Sequence, residues 1–321
     1  MKKLLLITGA FLCCHPLFPW GFYAHKQINY YAVFLLPPEM LVLYKPNIQF
    51  LSDHAVDPDK RRYAVSEEGA RHYIDIDHYG VYPFDSLPRI WHKALEKYGR
   101  DTLQKYGIVP WHIQTMLFRL TAAFKEKDQV KILKLSADIG HYIGDAHVPL
   151  HVCSNHNGQL SNQQGIHAFW ESRIPELLAA SSWDFMIGKA SYISNPVAFT
   201  WKRVLESAAA ADSVLGIEKE LTARFSADRK YSFEPRNGQV IRQYSTPYCL
   251  AYNQQLNNMI ERRMQQSIAA VASFWYTAWV NAGQPDLKQL LNKNFSDEDR
   301  RELEELNAAW LKGQAKGKYC D

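Results

Sequence analysis

The sequence of 321 residues has few of the features that mark a nucleic-acid-binding, membrane-spanning or disulfide-stabilised protein. Its formal net charge is only +4, so no strongly basic surface for nucleic acid is expected. It has five cysteines and no apolar run long enough to cross a bilayer. Runs that alternate polar and apolar residues are scarce, and there is no internal repeat or low-complexity linker. With 47% hydrophobic residues, the chain is instead predicted to be globular and mainly helical.

The first nineteen residues predict a signal peptide. Two lysines follow the initial Met, and the apolar run at 4–14 has the length of a signal-peptide core. We therefore expect a secreted or periplasmic protein, with residues 1–19 removed and Trp20 as the mature N-terminus. A lipid anchor is not expected, because neither Cys13 nor Cys14 follows the small residue that such processing needs.

The exact cleavage site is weakly marked. Leu17 and Pro19 are not the small residues that a signal peptidase prefers. Export would leave Cys153, Cys249 and Cys320, an odd number that permits at most one disulfide. Their pairing stays open at this point.

Helical spacing of apolar residues predicts a single all-α domain over residues 20–321. In residues 111–125, apolar positions recur at intervals of three and four. The next helix is expected to be capped by Asp128, to run to about His147 and to end at Pro149. Further helices are predicted at 26–36, 40–54, 196–212, 214–225 and 246–282, with a capped terminal helix after Ser296.

Two histidine–carboxylate pairs are the first indication of a functional site. In His141/Asp145 and His167/Glu171 the carboxylate follows the histidine by four residues, which places both on one face of a helix. A single pair of this kind is more often an accident of an ordinary core or surface. Two pairs with His151 between them favour a site for a divalent metal ion.

Two more residues become candidate metal ligands because of these pairs. Asp57 alone reads as a turn residue before Pro, and His72 alone reads as structural. If the fold brings them to His141 and Asp145, two carboxylates and two imidazoles form a site suited to zinc.

The order of these residues resembles the superfamily of zinc-dependent phospholipases C and zinc-dependent single-strand-specific nucleases. The family pattern starts with an N-terminal Trp and a His, and continues with an Asp, a His, H-x-x-x-D-x-x-x-x-x-H and H-x-x-x-[DE]. The match spans residues 20–171, and the remainder adds no motif. The nine corresponding positions are Trp20, His25, Asp57, His72, His141, Asp145, His151, His167 and Glu171.

This resemblance implies an all-α fold with a trinuclear zinc cleft. The first zinc would be held by Asp57, His72, His141 and Asp145, and the second by His151, His167 and Glu171. The third would be held by the amine and carbonyl of Trp20, by His25 and by Asp145, which bridges to the first. A zinc-activated hydroxide would attack the phosphodiester in line, while Asp57 orients the water or accepts its proton.

The resemblance leaves two possible substrates, a phospholipid and single-stranded nucleic acid. The short spacing from Trp20 to His25, the PLH at 149–151 and the HYID at 72–75 are nuclease-like, whereas the short loop from His151 to His167 and Glu171 are phospholipase-like. We favour a phospholipase C-like phosphodiesterase that contacts membrane surfaces transiently and needs no protein partner. The alternative is a single-strand-specific endonuclease or 3'-nucleotidase.

A different class also stays open, namely a non-catalytic helical module that zinc stabilises and that binds lipid or a protein partner. The completeness of the ligand set argues against it, since a structural zinc site has no use for open coordination positions.

Overall fold

The computed structural model describes residues 21–236, 238–290 and 295–316. Within these ranges the chain is mostly helical, which confirms the predicted helical character, and a single two-stranded antiparallel sheet is present. No helix in them is long and apolar enough to span a bilayer. The elements are α1 (Phe22–Val33), α2 (Pro38–Tyr44), α3 (Ile48–Asp53), α4 (Asp57–Arg61), α5 (Trp91–Tyr98), α6 (Arg100–Tyr106), α7 (Val109–Glu126), α8 (Gln129–His147), α9 (Ile166–Ala168), α10 (Ile174–Ser182), α11 (Pro196–Arg224), α12 (Ala227–Lys230), β1 (Tyr231–Arg236), β2 (Gln239–Tyr244), α13 (Thr246–Gln255), α14 (Met259–Asn281) and α15 (Asp297–Leu311).

Short irregular helical segments join several of these elements. The turns that bear on the site are the 3-10 segments His54–Val56, Gly69–Arg71 and Pro149–Val152. A π-helical segment, Phe169–Arg173, connects α9 to α10.

The centre of the fold is built on α8, against which α1, α7 and α14 all pack. Large side chains that reach α8, such as Tyr44 of α2 and Trp275 of α14, are fully buried. Their polar atoms are satisfied there, because the indole of Trp275 donates to the Ser136 carbonyl at 3.0 Å and the Tyr44 hydroxyl lies 2.8 Å from the Ser136 hydroxyl. The helix that carries His141 and Asp145 is thus held rigidly by its neighbours.

The ends of α8 follow the sequence prediction. The Asp128 side chain accepts a hydrogen bond from the backbone N–H of Lys131 at 3.1 Å, and the helix ends at His147. The terminal helix is also confirmed, since Ser296 forms a capping box with Asp299 ahead of α15.

Two glycines of α8 allow α1 to approach closely. A Cβ at Gly140 would overlap the side chain of Asn29, and one at Gly144 would lie 3.0 Å from Nδ1 of His25. This close packing places the His25 ring over the His141 ring, with 3.9 Å between their centres. The helix contact therefore positions a histidine of α1 beside those of α8.

Several predicted boundaries were wrong. Helix α11 is continuous, although two helices were predicted there, and 40–54 is divided into α2 and α3. The predicted helix at 246–282 is divided by Asn257 and Asn258, which both adopt positive φ. The hairpin formed by β1 and β2 was not predicted.

Part of the prediction lies outside the described residues. This holds for the signal peptide, its cleavage site, Trp20 and Cys320. Cys153 and Cys249 are within them, and they are not bonded to each other.

Candidate metal centre

Eight side chains from separate elements converge at one place, which we call the histidine–carboxylate cluster. None of the eight residues is more than 8% exposed. Helix α1 supplies one of them, α4 one, α8 two, and the turns and the α9 region supply the rest. The members are His25, Asp59, His72, His141, Asp145, His151, His167 and Glu171.

The first group in the cluster joins α4, α8 and the turn at His72. Nε2 of His141 lies 2.9 Å from Nδ1 of His72, and Oδ2 of Asp145 lies within 3.3 Å of both nitrogens. Oδ1 of Asp59 is 3.7 Å from each of them. Nδ1 of His141 lies 2.9 Å from the carbonyl oxygen of Ala55 and donates a hydrogen bond to it. In the neutral ring, Nε2 therefore carries a lone pair, and this lone pair points into the first group.

The second group is formed by His151, His167 and Glu171. Oε2 of Glu171 lies 2.6 Å from Nε2 of His167 and 3.2 Å from Nε2 of His151. The two nitrogens are 3.2 Å apart. Glu171 belongs to the π-helical segment, a rare conformation that often occurs at functional sites.

His25 lies between the two groups and connects them. Its Nε2 is 3.3 Å from Oδ1 of Asp145 and 3.5 Å from Oε1 of Glu171. Each of these carboxylates therefore presents one oxygen to His25 and the other to one of the groups. The sequence interpretation gave this bridging position to Asp145 alone.

Asp57, which the sequence pattern placed among the ligands of the first zinc, lies outside the cluster in this structure. Its Oδ2 is 2.6 Å from Nδ1 of His54, and its Oδ1 accepts from Lys60 at 3.2 Å. Asp57 is the first residue of α4, so a residue two positions later points to another side of the helix. That residue is Asp59, which faces the first group and has Arg62 at 3.8 Å.

Sequence reasoning also missed Glu68, which lies behind His72. Glu68 is fully buried and is hydrogen-bonded by the Tyr142 hydroxyl, by Arg71 and by Arg61. Its Oε1 is 3.7 Å from Nε2 of His72, the nitrogen that points away from the cluster. At this distance the carboxylate forms no hydrogen bond with the ring, but its negative charge favours a positively charged or metal-bound imidazole at His72. The signal in the sequence was the four-residue spacing from Glu68 to His72.

The electrostatics of the cluster favour bound positive charge. Burial alone would lower the pKa of His25, but hydrogen bonds to Asp145 and Glu171 outweigh it and raise the pKa to about 10. The same balance, with Asp145 and Glu68 as partners, raises the pKa of His72 to about 9. Burial would raise the pKa of the Asp145 and Glu171 carboxyl groups, yet the histidines beside them hold it well below its ordinary value.

The cluster lies at the floor of a cleft of about 330 Å³. All of its members except His72 and His141 line the cleft. One wall is the hairpin, through Tyr231, Arg242 and Tyr244, and another part comes from the loop that follows Cys153.

Arg173 anchors the hairpin beside the cluster. Its Nε donates to the carbonyl of Tyr244 at 3.1 Å, and its Nη2 donates to Glu234 at 2.8 Å. Arg173 belongs to the same π-helical segment as Glu171, so one short stretch of chain positions both a cluster carboxylate and the cleft wall.

The chain enters α1 in direct contact with the cluster. Gly21 has a φ of 100°, and a Cβ there would overlap the carboxylate of Glu171. The expected ligation by the amine of Trp20 falls on a residue outside the described ranges and stays a prediction.

The arrangement has the ligands and the burial that divalent metal ions require. Imidazole nitrogens face one another at 2.9 and 3.2 Å, with carboxylate oxygens between them, and such contacts need a proton or a cation to be favourable. These groups could therefore hold metal ions. No protein-family model matches the chain, and no curated protein matches it significantly.

Proposed function

We propose that the protein is a zinc-dependent phosphodiester hydrolase of the phospholipase C type. The observation that carries the proposal is the convergence of five imidazoles and three carboxylates at the floor of an open cleft. Zinc is the ion that prefers this mixture of neutral imidazole and carboxylate ligands. The match in residue order to the zinc-dependent phospholipases and nucleases supports the same ion and up to three binding positions.

The openness of the cluster supports catalysis over a structural role. A structural zinc ion is closed off by four protein ligands, whereas most members of this cluster face a cavity that admits another molecule. Zinc would supply Lewis-acid catalysis and a water of lowered pKa.

Asp59 takes the role that the sequence assigned to Asp57. Its side chain is 11% exposed, compared with 1% for Asp145 and 7% for Glu171, and it lines the cleft. It is therefore the carboxylate best placed to orient an attacking water and to accept its proton. Asp145 and Glu171 have both oxygens directed at histidines, so they hold the cluster together.

Arg62 completes the polar side of the cleft. It lines the cavity next to Asp59, where its guanidinium can bind a phosphate oxygen. Without cations, the carboxylates of the cluster would repel a phosphodiester anion. Removal of the metal should therefore abolish substrate binding as well as turnover.

The proposal is tested on purified protein that has kept its native metal. Hydrolysis of bis(4-nitrophenyl) phosphate, phosphatidylcholine vesicles, single-stranded DNA and RNA is measured with and without a chelator, and zinc is then added back. We expect chelator-sensitive hydrolysis of the soluble diester and of phosphatidylcholine, restored by zinc. Activity that survives the chelator, or none on any of the four, would overturn the proposal; turnover of nucleic acid alone would establish the nuclease alternative.

A matched pair of variants links activity to the cluster. His151→Ala removes a cluster histidine and should lower activity roughly 100-fold or more. His156→Ala removes a histidine of the following loop that lies outside the cluster, next to the Ser154 carbonyl, and should leave activity close to the wild-type value. Equal losses in the two variants would show that the cluster is not the catalytic site.

A further inference from the structure

One face of the hairpin runs from the cleft wall to an exposed apolar tip. The strand register pairs Tyr231 with Tyr244 at the base and Phe233 with Arg242 beyond it, so these four side chains share a face. The same face continues to Val240. The two tyrosines line the cleft, whereas Phe233 is 73% exposed and Val240 is 71% exposed.

The base of the hairpin is anchored firmly, and the apolar tip adds nothing to the core. Tyr244 packs on Phe169 and Tyr248, with ring centres 4.0 and 5.4 Å apart, and Arg173 binds the backbone at Tyr244. Phe233 belongs to neither buried apolar cluster of the fold. Phe233 and Val240 are diagonal neighbours on this face, so they form one exposed apolar patch and not two isolated side chains.

A cation lies among these apolar side chains. Arg242 stacks over the ring of Tyr231, with 4.3 Å from its guanidinium carbon to the ring centre. It forms no ion pair with any residue in the ranges that the structure describes. The guanidinium can therefore bind an anionic group, and it lies beside Phe233, where the exposed apolar tip begins.

A second segment of the cleft wall also carries an exposed apolar side chain. The loop at 153–165 contributes Asn157 to the cleft, and its Leu160 is 72% exposed. Two separate segments that border the cleft therefore present apolar groups to solvent.

We propose that the hairpin is an interfacial docking element that inserts Phe233 and Val240 into a phospholipid surface, with Arg242 on the lipid phosphates. The inference rests on the proposed function and names the substrate of the same site as a phospholipid in a membrane. Apolar residues combined with a basic residue suit the boundary between head groups and acyl chains. Docking there would place the cleft, whose wall continues into the tip, next to the lipid head groups.

A lipid surface fits these residues better than single-stranded nucleic acid does. Bases stack on aromatic rings, but the aliphatic side chain of Val240 offers them no such surface. The chain also has a formal net charge of only +4, which is small for a protein that tracks a phosphate backbone.

The test compares binding to vesicles with turnover of a soluble substrate. Co-sedimentation with phosphatidylcholine vesicles, with and without phosphatidylglycerol, is measured for the wild type and for the double variant Phe233→Ser/Val240→Ser. The double variant should bind vesicles at least about tenfold more weakly and hydrolyse vesicle lipid correspondingly slowly. Its turnover of bis(4-nitrophenyl) phosphate should equal that of the wild type, because neither residue lies at the cluster.

Two further variants sharpen the comparison. Phe118→Ser is the matched control, since Phe118 is 75% exposed but lies on α7 and does not line the cleft, and it should bind vesicles as the wild type does. Arg242→Gln should weaken binding to the phosphatidylglycerol-containing vesicles about fivefold.

Unchanged vesicle binding by the double variant would overturn the docking proposal, as would a loss that Phe118→Ser shares. A loss of single-stranded DNA binding with vesicle binding intact would also overturn it and assign the hairpin to nucleic acid. Failure of the wild type to hydrolyse any of the four phosphodiesters would instead refute the proposed function, and the vesicle measurement would still report on docking.

Discussion

Exchanging two neighbouring aspartates one at a time should separate the metal centre from its surroundings. Asp59→Asn replaces the carboxylate that faces His72 and His141, whereas Asp57→Asn replaces one that is paired with His54 and Lys60. The two positions carry the same residue type and the same substitution, and they are two residues apart. Any difference between the variants therefore reports on where each carboxylate points.

The expected magnitudes differ in kind. Loss of a partner that only orients a ligand costs about 10- to 100-fold in metal affinity, so loss of a direct ligand at Asp59 should cost at least about 100-fold, or about 2.8 kcal/mol. Asp57→Asn should leave zinc affinity unchanged and lower the free energy of unfolding by about 1 kcal/mol. Burial would raise the pKa of Asp57, but its bond to His54 and the charge of Lys60 lower it, so this stabilisation is present near neutral pH and is lost on acidification.

The assay needs no substrate. Bound zinc is counted after dialysis, its affinity is measured by competition with a chromophoric chelator, and the free energy of unfolding is measured by circular dichroism with excess chelator. A loss of zinc affinity in Asp57→Asn as large as that in Asp59→Asn would refute the reasoning, because it would mean that the metal-loaded protein uses the carboxylate that the sequence pattern indicated.

Four further outcomes are expected. Asp145→Asn should lower activity more than Glu171→Asp, because both carboxylates bridge to His25 but only the second substitution keeps the negative charge; equal losses in the diester assay would contradict the role of that charge. The raised pKa values of His25 and His72 mean that both rings hold protons near neutral pH in the metal-free protein, and the pKa of His151 is raised as well, so zinc binding should release two protons or more, measured by calorimetry in buffers of different ionisation enthalpy. With chelator present, the stabilisation from His25 and His72 should be complete below the ordinary histidine pKa and should be lost as the pH rises through about 9 to 10; a melting temperature that stays flat over that range would contradict it. Glu68→Gln should weaken zinc binding by about 10- to 100-fold although it removes no ligand, and an unchanged affinity would show that Glu68 serves only the fold.

The parts of the fold that local sequence determines were predictable. The boundaries of α8 follow from a capping Asp128 and from the Pro149 that follows the helix, and α15 follows from Ser296. The hairpin was missed although the sequence carries local signals for it, since Tyr231–Arg236 alternates apolar and polar residues and Asn237 with Gly238 is a typical turn dipeptide. Its stability comes from contacts with distant parts of the chain, such as the bonds from Arg173 to Tyr244 and Glu234.

The same division applies to the site. The spacing of four residues in His141/Asp145 and in His167/Glu171 is local, and the structure keeps each pair in contact. The choice between Asp57 and Asp59 is different, since the two carboxylates flank Pro58 and either could follow the family pattern. The start of α4 decides it, and the sequence alone places that start only to within a residue or two.

The position of Glu171 shows most clearly what the sequence could not contain. Its contact with His167 follows from helical spacing, but its second oxygen meets His25, which lies on α1 and reaches the cluster because Gly144 lets α1 approach α8. That contact depends on the packing of two helices distant in sequence and on the π-helical segment that carries Glu171. Since Asp145 meets the same ring of His25 from the other group, the two groups are joined through His25 and form one electrostatic unit. A substitution at either carboxylate should therefore change the electrostatics of both groups, whereas a substitution at His72 or His167 directly changes only the group that contains it.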